Sequence, residues 1–175
     1  MIVSVRGPCG GGKSTTVRSY VREVGASPVF VPGRRIPYGY VDGKNSVFVV
    51  GRYDRDTMGG ADSFQSLHEV FLAIDTYAPH YRHVVFEGKT QNNDIDRFVA
   101  LGKRYELAAL SLDVTAEQAV AGVRGRATAN QISSGLIERT CRKCAQDDVE
   151  LRVAGVALHR AKREDALPLL RRLLR

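Results

Sequence analysis

Gly7-Pro8-Cys9-Gly10-Gly11-Gly12-Lys13-Ser14 fits the spacing G-x-x-x-x-G-K-[ST] at every position. Glycines at these places let backbone N–H groups approach a polyphosphate, the lysine reaches its β- and γ-phosphates, and the hydroxyl can ligate Mg²⁺. Gly10, Gly11, Gly12, Lys13, Ser14 and Thr15 are therefore assigned to a nucleotide, with Lys13 also catalytic and Ser14 also a metal ligand. Such a motif needs a strand before it and a helix after it, because the helix N-terminus adds partial positive charge. Met1-Ile2-Val3-Ser4-Val5 reads as a short buried strand, and Val17, Tyr20, Val21 and Val24 recur at helical spacing.

The other chemistry-bearing residues stand where further strands are predicted to end. His83-Val84-Val85-Phe86-Glu87-Gly88 is an apolar run closing on an acid, so Glu87 is the second candidate for Mg²⁺ or its waters. Ser46-Val47-Phe48-Val49-Val50-Gly51 runs into a polar loop over 52–62. Phosphoryl transfer to a hydroxyl benefits from a carboxylate that takes the acceptor's proton. Asp54, Asp56 and Asp62 are the candidates, with Asp62 favoured because Gly59-Gly60 allows a tight turn before it, and Asp54 second. Asp62 or Ser63 could equally cap the next helix. Arg52, Tyr53, Asp54 and Gly60 are the acceptor-binding candidates of this loop.

Two basic stretches flank these ends. Arg34, Arg35, Tyr38, Tyr40 and Lys44 interleave charge with aromatic rings over 33–45. That surface suits phosphates and stacked bases, Arg34 above all, or is simply a solvated loop with packed tyrosines. Arg124 and Arg126 sit in a basic break over 124–128, inside a small lid expected at about 122–132. Arginines there would neutralise a transferring phosphoryl group and exclude water; the plainer alternative is a charged helix end. The stretch 159–163 could border an adenine.

The elements needed to position these groups alternate along the chain. Strands are expected at 1–5, 46–51, 83–88, 107–114 and 151–158, and helices from 14, over 64–74, 94–104, from 115, over 130–145 and over 164–175. Alternation of this kind gives an α/β fold, a three-layer α/β/α arrangement with a five-stranded, mainly parallel sheet. At 175 residues the whole chain, 1–175, is expected to be one domain. No apolar run approaches the ~18–20 residues of a membrane span, and the chain enters its first strand at once, which points to the cytoplasm. Cys141 and Cys144 have C-x-x-C spacing without a second pair or a flanking histidine, and are expected on one helical face.

Charge is unevenly placed. The net charge is +7, with +6 over 1–55, −4 over 56–115 and +5 over 116–175, and 20 of the 26 basic residues are arginine. An anionic partner fits this pattern, and arginine suits bidentate phosphate contacts.

Over nearly its whole length the chain resembles the nucleotide-kinase-like branch of the P-loop NTPases, on residues 7–14, Glu87, Leu112-Asp113-Val114, Arg124 and Arg126. A narrower resemblance rests on Gly51-Arg52-Tyr53 followed by Gly59-Gly60-Ala61-Asp62-Ser63. This G-[RK]-Y…G-G-x-D-[ST] pattern is similar to small bacteriophage P-loop kinases, among them 5-hydroxymethyluracil DNA kinases that act in thymine hypermodification. The resemblance implies ATP and Mg²⁺ as cofactors, DNA with a flipped or single-stranded modified base as substrate, Asp62 as base, and a host cytoplasm as location. A kinase of a free nucleotide or other small hydroxyl compound, and a non-catalytic ATP-binding or nucleic-acid-binding module, fit the same residues.

Overall fold

Five consecutive buried residues make up β1 (Ile2–Arg6), as expected of a strand covered on both faces. The computed structural model describes residues 1–54, 59–87, 95–124 and 133–175. There β1 lies inside a seven-stranded sheet with β2 (Ser27–Val29), β3 (Gly39–Asp42), β4 (Val47–Val50), β5 (His83–Glu87), β6 (Leu107–Leu112) and β7 (Ala157–Ala161). The order is β2-β3-β4-β5-β1-β6-β7, parallel from β4 through β7, with β2 and β3 added antiparallel at one edge. After β1 the chain runs to the sheet edge as β2, comes back through β3 and β4 to β5 beside β1, and then crosses to β6 on the other side. In parallel sheets such a switch opens a crevice at the strands' carboxyl ends.

Alternation of side chains across the strands divides the interior into two cores. Val3, Val5, Val47, Val49, Val85 and Leu110 face one side, where α1 (Lys13–Glu23) contributes Val17, Tyr20 and Val21, and α6 (Ala166–Leu173) contributes Leu169 and Leu170. Ile2, Phe48, Val50, Val84, Phe86 and Ala109 face the other, covered by α2 (Leu67–Tyr77), α3 (Ile95–Gly102) and α5 (Ser134–Val153). The same alternation decides where polar strand residues point. Glu87 follows Val85 by two and so faces α1, whereas Arg6 follows Ile2 and Ser4 and faces α5. There Arg6 Nη2 donates to Asp147 at 3.2 Å, both side chains buried, and its guanidinium lies 4.8 Å from the Phe98 ring centre. Asp148 accepts from Ser111 Oγ on β6 at 2.7 Å. The first bond fastens α5 to β1, the strand that feeds the phosphate loop, and the second fastens it to β6.

Several expectations need correction. The five expected strands correspond to the parallel part, but the sheet has seven, because β2 and β3 are short strands hidden among prolines and glycines. The 33–45 stretch is thus partly strand, with Tyr40 buried. The run over 151–158 is not one strand: α5 continues to Val153, Gly155 turns the chain at φ 78°, and β7 begins at Ala157. A short apolar run reads alike as strand or as buried helix face. Neither Asp62 nor Ser63 caps α2; they lie in a 3₁₀ turn (Ala61–Ser63), and Ser66 Oγ accepts from Glu69 N as the cap. Thr115 caps α4 (Ala116–Arg124) in a reciprocal pair with Gln118. Cys141 and Cys144 lie one turn apart on α5, and burial pushes the Cys144 thiol up to about 11. Among the described residues no helix is long and apolar enough to cross a membrane.

Candidate active site

The loop between β1 and α1 closes back on itself. Gly7, Gly10 and Gly12 take φ of 146°, 78° and 105°, conformations that side-chain-bearing residues rarely adopt. Close packing adds a second requirement at Gly10, where a Cβ would lie 2.1 Å from the Ala119 carbonyl oxygen. Lys13 Nζ donates to Gly7 O at 2.9 Å and Pro8 O at 3.0 Å, folded over the loop that it would share with phosphates. Thr15 is the exposed third residue of α1, at the same helix N-terminus.

Ser14 Oγ donates to Glu87 Oε2 at 2.7 Å, joining the first turn of α1 to the tip of β5. Glu87 is buried, and its other oxygen accepts from the Tyr53 hydroxyl at 3.2 Å. Burial raises the Glu87 carboxyl above its ordinary value, Lys13 and the Ser14 bond pull it back, and Asp62 pushes it up again. Burial, with Glu87 alongside, drives the Tyr53 phenol far up, so it is a proton donor at any working pH. A hydroxyl and a carboxylate in contact beside a phosphate loop form the hard-oxygen pair that suits Mg²⁺, which keeps waters and phosphate oxygens as its other ligands. Among the described residues no cluster of three or more His, Cys, Asp or Glu side chains could hold a metal.

Glu87 carries a measurable signature. Its native carboxyl titrates above its ordinary value of 4.5, so between the two values the native state binds more protons than the unfolded chain. Wild-type stability therefore falls as pH rises through that window. Glu87→Gln removes the penalty and keeps the shape. The expected result is a variant more resistant to urea than wild type at pH 8, with the difference vanishing by about pH 4 and no transfer activity. Urea unfolding at several pH values checks this.

The wall facing Glu87 is built from residues 52–53 and 59–62. Arg52 and Gly60 form an antiparallel bridge, with Gly60 N donating to Arg52 O at 2.6 Å. A Cβ on Gly60 would fall 1.3 Å from Glu87 Oε1, so the glycine is what lets this turn lie against the acid. A Cβ on Gly51 would fall 2.5 Å from Gly60 C, so the two glycines pack backbone to backbone. Asp62 is exposed on the following turn, near enough for its charge to act on both Glu87 and Tyr53. Asp54 is engaged by Arg52, with Nε–Oδ1 at 2.5 Å and Nη2–Oδ2 at 3.1 Å. Asp56 and Arg55 lie outside the described residues.

Arg34 is placed differently from its expected role on a free basic surface. Its Nη2 donates to Ser63 O at 2.5 Å, and its guanidinium sits 4.7 Å from the Phe64 ring centre and 5.3 Å from that of Tyr38. It thus ties the β2–β3 loop to the turn that carries Asp62. Arg124 is the exposed last residue of α4, while Arg126 and most of the 122–132 lid lie outside the described residues.

Sequence reasoning gave no role to Arg18 and placed Arg163 only within the stretch 159–163 that could border an adenine. Arg18, buried on α1, lies 3.4 Å from where a Gly59 Cβ would be, and its charge acts on Tyr53. Its place beside the apolar stripe of α1, next to Val17 and three residues before Val21, was the available signal. Arg163, two residues beyond β7, reaches the phosphate loop with no local signal at all.

The structure matches deoxyadenosine kinase from M. mycoides with bound dATP at a TM-score of 0.51, with 15% identity and 99% of each chain covered. The same enzyme with bound dCTP matches at 0.52, with 14% identity, over 99% of this chain and 98% of that one. The fold is the α/β fold of these structures, with a phosphate loop after its first strand. In sequence, the chain is 26% identical over 183 positions to the 5-hmdU DNA kinase of Pseudomonas phage PaMx11, covering 99% of this chain and 96% of the relative. No protein-family model matches it.

Proposed function

We propose that the protein is an ATP-dependent kinase that transfers the γ-phosphoryl group to a hydroxyl acceptor, the hydroxymethyl group of a 5-hydroxymethyluracil base in DNA. The kinase part rests foremost on one observation: Ser14, at the end of the phosphate loop, is bonded to a buried Glu87 that the Gly60 turn covers. The polynucleotide acceptor is supported by the phage DNA kinase relative and by the basic first and last thirds of the chain. Free-nucleoside kinases of the same fold favour the second reading, a small nucleoside or nucleotide acceptor.

In this mechanism residues 10–15 hold the triphosphate, and Lys13 turns from the Gly7 and Pro8 carbonyls onto its β- and γ-oxygens. Ser14 and Glu87 are the residues that would hold Mg²⁺, which when bound neutralises charge developing on the phosphate oxygens. The acceptor hydroxyl enters along the Arg52, Tyr53 and Gly60 wall, and Asp62 takes its proton as the oxygen attacks the γ-phosphorus in line and the bond to the β-phosphate oxygen breaks, releasing ADP. Arg124 and Arg126 steady the phosphoryl group in transit. Tyr53 fixes the unused Glu87 oxygen, which keeps the carboxylate aimed at Ser14. A base within a duplex cannot reach this wall, so its nucleotide is flipped out or single-stranded. The phosphates around it would lie along the arginine-bearing segments 34–55 and 160–175. A cytoplasm supplying ATP is the setting.

An acceptor panel tests the proposal. Radiolabelled ATP is offered with 5-hydroxymethyluracil DNA, thymine DNA, free 5-hydroxymethyldeoxyuridine and ordinary deoxynucleosides. Label is expected in the hydroxymethyluracil DNA, with DNA affinity falling by at least about tenfold between 50 and 200 mM salt. Label confined to free nucleosides would replace the polynucleotide reading with the small-acceptor one. ATP binding without label in any acceptor would leave a nucleotide-binding module.

A further inference from the structure

Arg163 makes three backbone contacts on two distant segments. Its Nη2 donates to Gly10 O at 2.9 Å and to Gln118 O at 3.2 Å, and its Nε donates to Gly11 O at 3.3 Å. Two of these carbonyls belong to the phosphate loop and the third to α4. The exposed side chain lies close over two glycines: a Cβ on Gly12 would lie 3.3 Å from Nε, and one on Gly122 would lie 3.2 Å from Nη2. Loop and helix meet backbone to backbone at the same place, since a Cβ on Gly122 would be 2.2 Å from Gly10 O.

A trans peptide points its C=O and N–H in opposite directions. Drawing Gly10 O and Gly11 O toward Arg163 therefore turns the Gly11 and Gly12 N–H groups to the far side of the loop. Gly11 N–H is found there, donating at 3.0 Å to Pro8 O, the carbonyl that also holds Lys13 Nζ. Charged donors strengthen such bonds. The third bond holds α4, and with it Arg124 at its end, against the loop.

We infer that Arg163 is a positioning residue of the donor half of the site: it presets the peptide planes that receive the nucleotide's phosphates and ties α4 to them. The inference rests on the kinase reading. Arg163 follows β7, on the opposite side of β1 from β4 and the acceptor wall, so its influence should fall on ATP and spare the acceptor.

The test compares wild type, Arg163→Lys and Arg163→Ala, each checked for native far-ultraviolet circular dichroism. Titration with a non-hydrolysable ATP analogue gives Kd without any acceptor, and steady-state rates give KM for ATP and acceptor separately. Arg163→Ala is expected to raise Kd and KM for ATP by about tenfold, the equivalent of ~1.4 kcal/mol, with acceptor KM within about twofold of wild type. Arg163→Lys keeps the charge but not the fork, so its Kd should fall between the two. An alanine variant with wild-type ATP affinity, or an acceptor KM that rises as much as the ATP KM, would overturn the inference. If the alanine variant does not fold, a lysine variant with wild-type Kd overturns it as well. Wild-type protein that binds no ATP would instead bring down the kinase reading beneath it.

Discussion

Asp62→Asn is expected to slow phosphoryl transfer by about 10²–10⁴-fold while leaving ATP affinity within about twofold of wild type. Asparagine keeps the size and hydrogen-bonding shape of the side chain but cannot accept the acceptor's proton. The turn bearing Asp62 is well held: Ser63 Oγ donates to Gly60 O at 2.6 Å, and Arg34 grips Ser63 O from the other side. The substitution therefore reports on chemistry more than on folding. Asp54 serves as the comparison, because its carboxylate is already forked by Arg52 and partly exposed. Asp54→Asn should cost less than about tenfold, the scale of a lost exposed ion pair. Single-turnover transfer, measured beside binding of a non-hydrolysable ATP analogue, separates the two. Full activity in Asp62→Asn would remove it as the base, and a larger loss in Asp54→Asn would transfer the role there.

Gly60→Ala is expected to damage both stability and activity. Gly60 has φ 65°, which costs an alanine about 1–2 kcal/mol, and its added carbon would overlap Glu87 Oε1, a buried atom 1.3 Å away. Forcing the turn and the acid apart adds about 1–3 kcal/mol of overpacking. Together these predict a Tm lower by on the order of 10 °C for a chain of this length. Transfer should be lost as well, because a displaced Glu87 no longer meets Ser14. Gly25→Ala supplies the control. Gly25 closes α1 at φ 61° with nothing within 4 Å of a Cβ, so it bears the conformational cost without the collision. Differential scanning calorimetry of both variants would separate backbone strain from contact. Equal losses at the two sites would mean that Gly60 does not lie against Glu87.

What could be read from the residues alone has a local cause. The phosphate loop, its flanking strand and the apolar face of α1 are contiguous in sequence. Glycine spacing and helical period therefore specify them without reference to the rest of the chain. Glu87 was visible for a related reason: an apolar run closing on an acid marks the carboxyl end of a strand, where functional groups of parallel sheets collect.

The rest was decided by contacts between residues far apart. Ser14 and Glu87 are separated by 73 positions, and Arg163 by 152 from Gly11 and 153 from Gly10. Nothing in the local pattern around Arg163 distinguishes it from the neighbouring basic residues. Arg34 reads as a surface cation until the fold sets it over Phe64 with its fork on Ser63 O. β2 and β3 exist because β4 offers them an edge, since strands of three and four residues are too short to declare themselves. The end of α5 was likewise settled by packing: Leu151 is fully buried on the helix, whereas Val153 is 84% exposed two residues later. The sequence by itself determined a loop of the form that cradles phosphates, with the strand before it and the helix after it. Only the tertiary structure decided what faces that loop, because the Gly60 turn, Tyr53 and Arg163 reach it through the order of the strands and not through their neighbours in the chain.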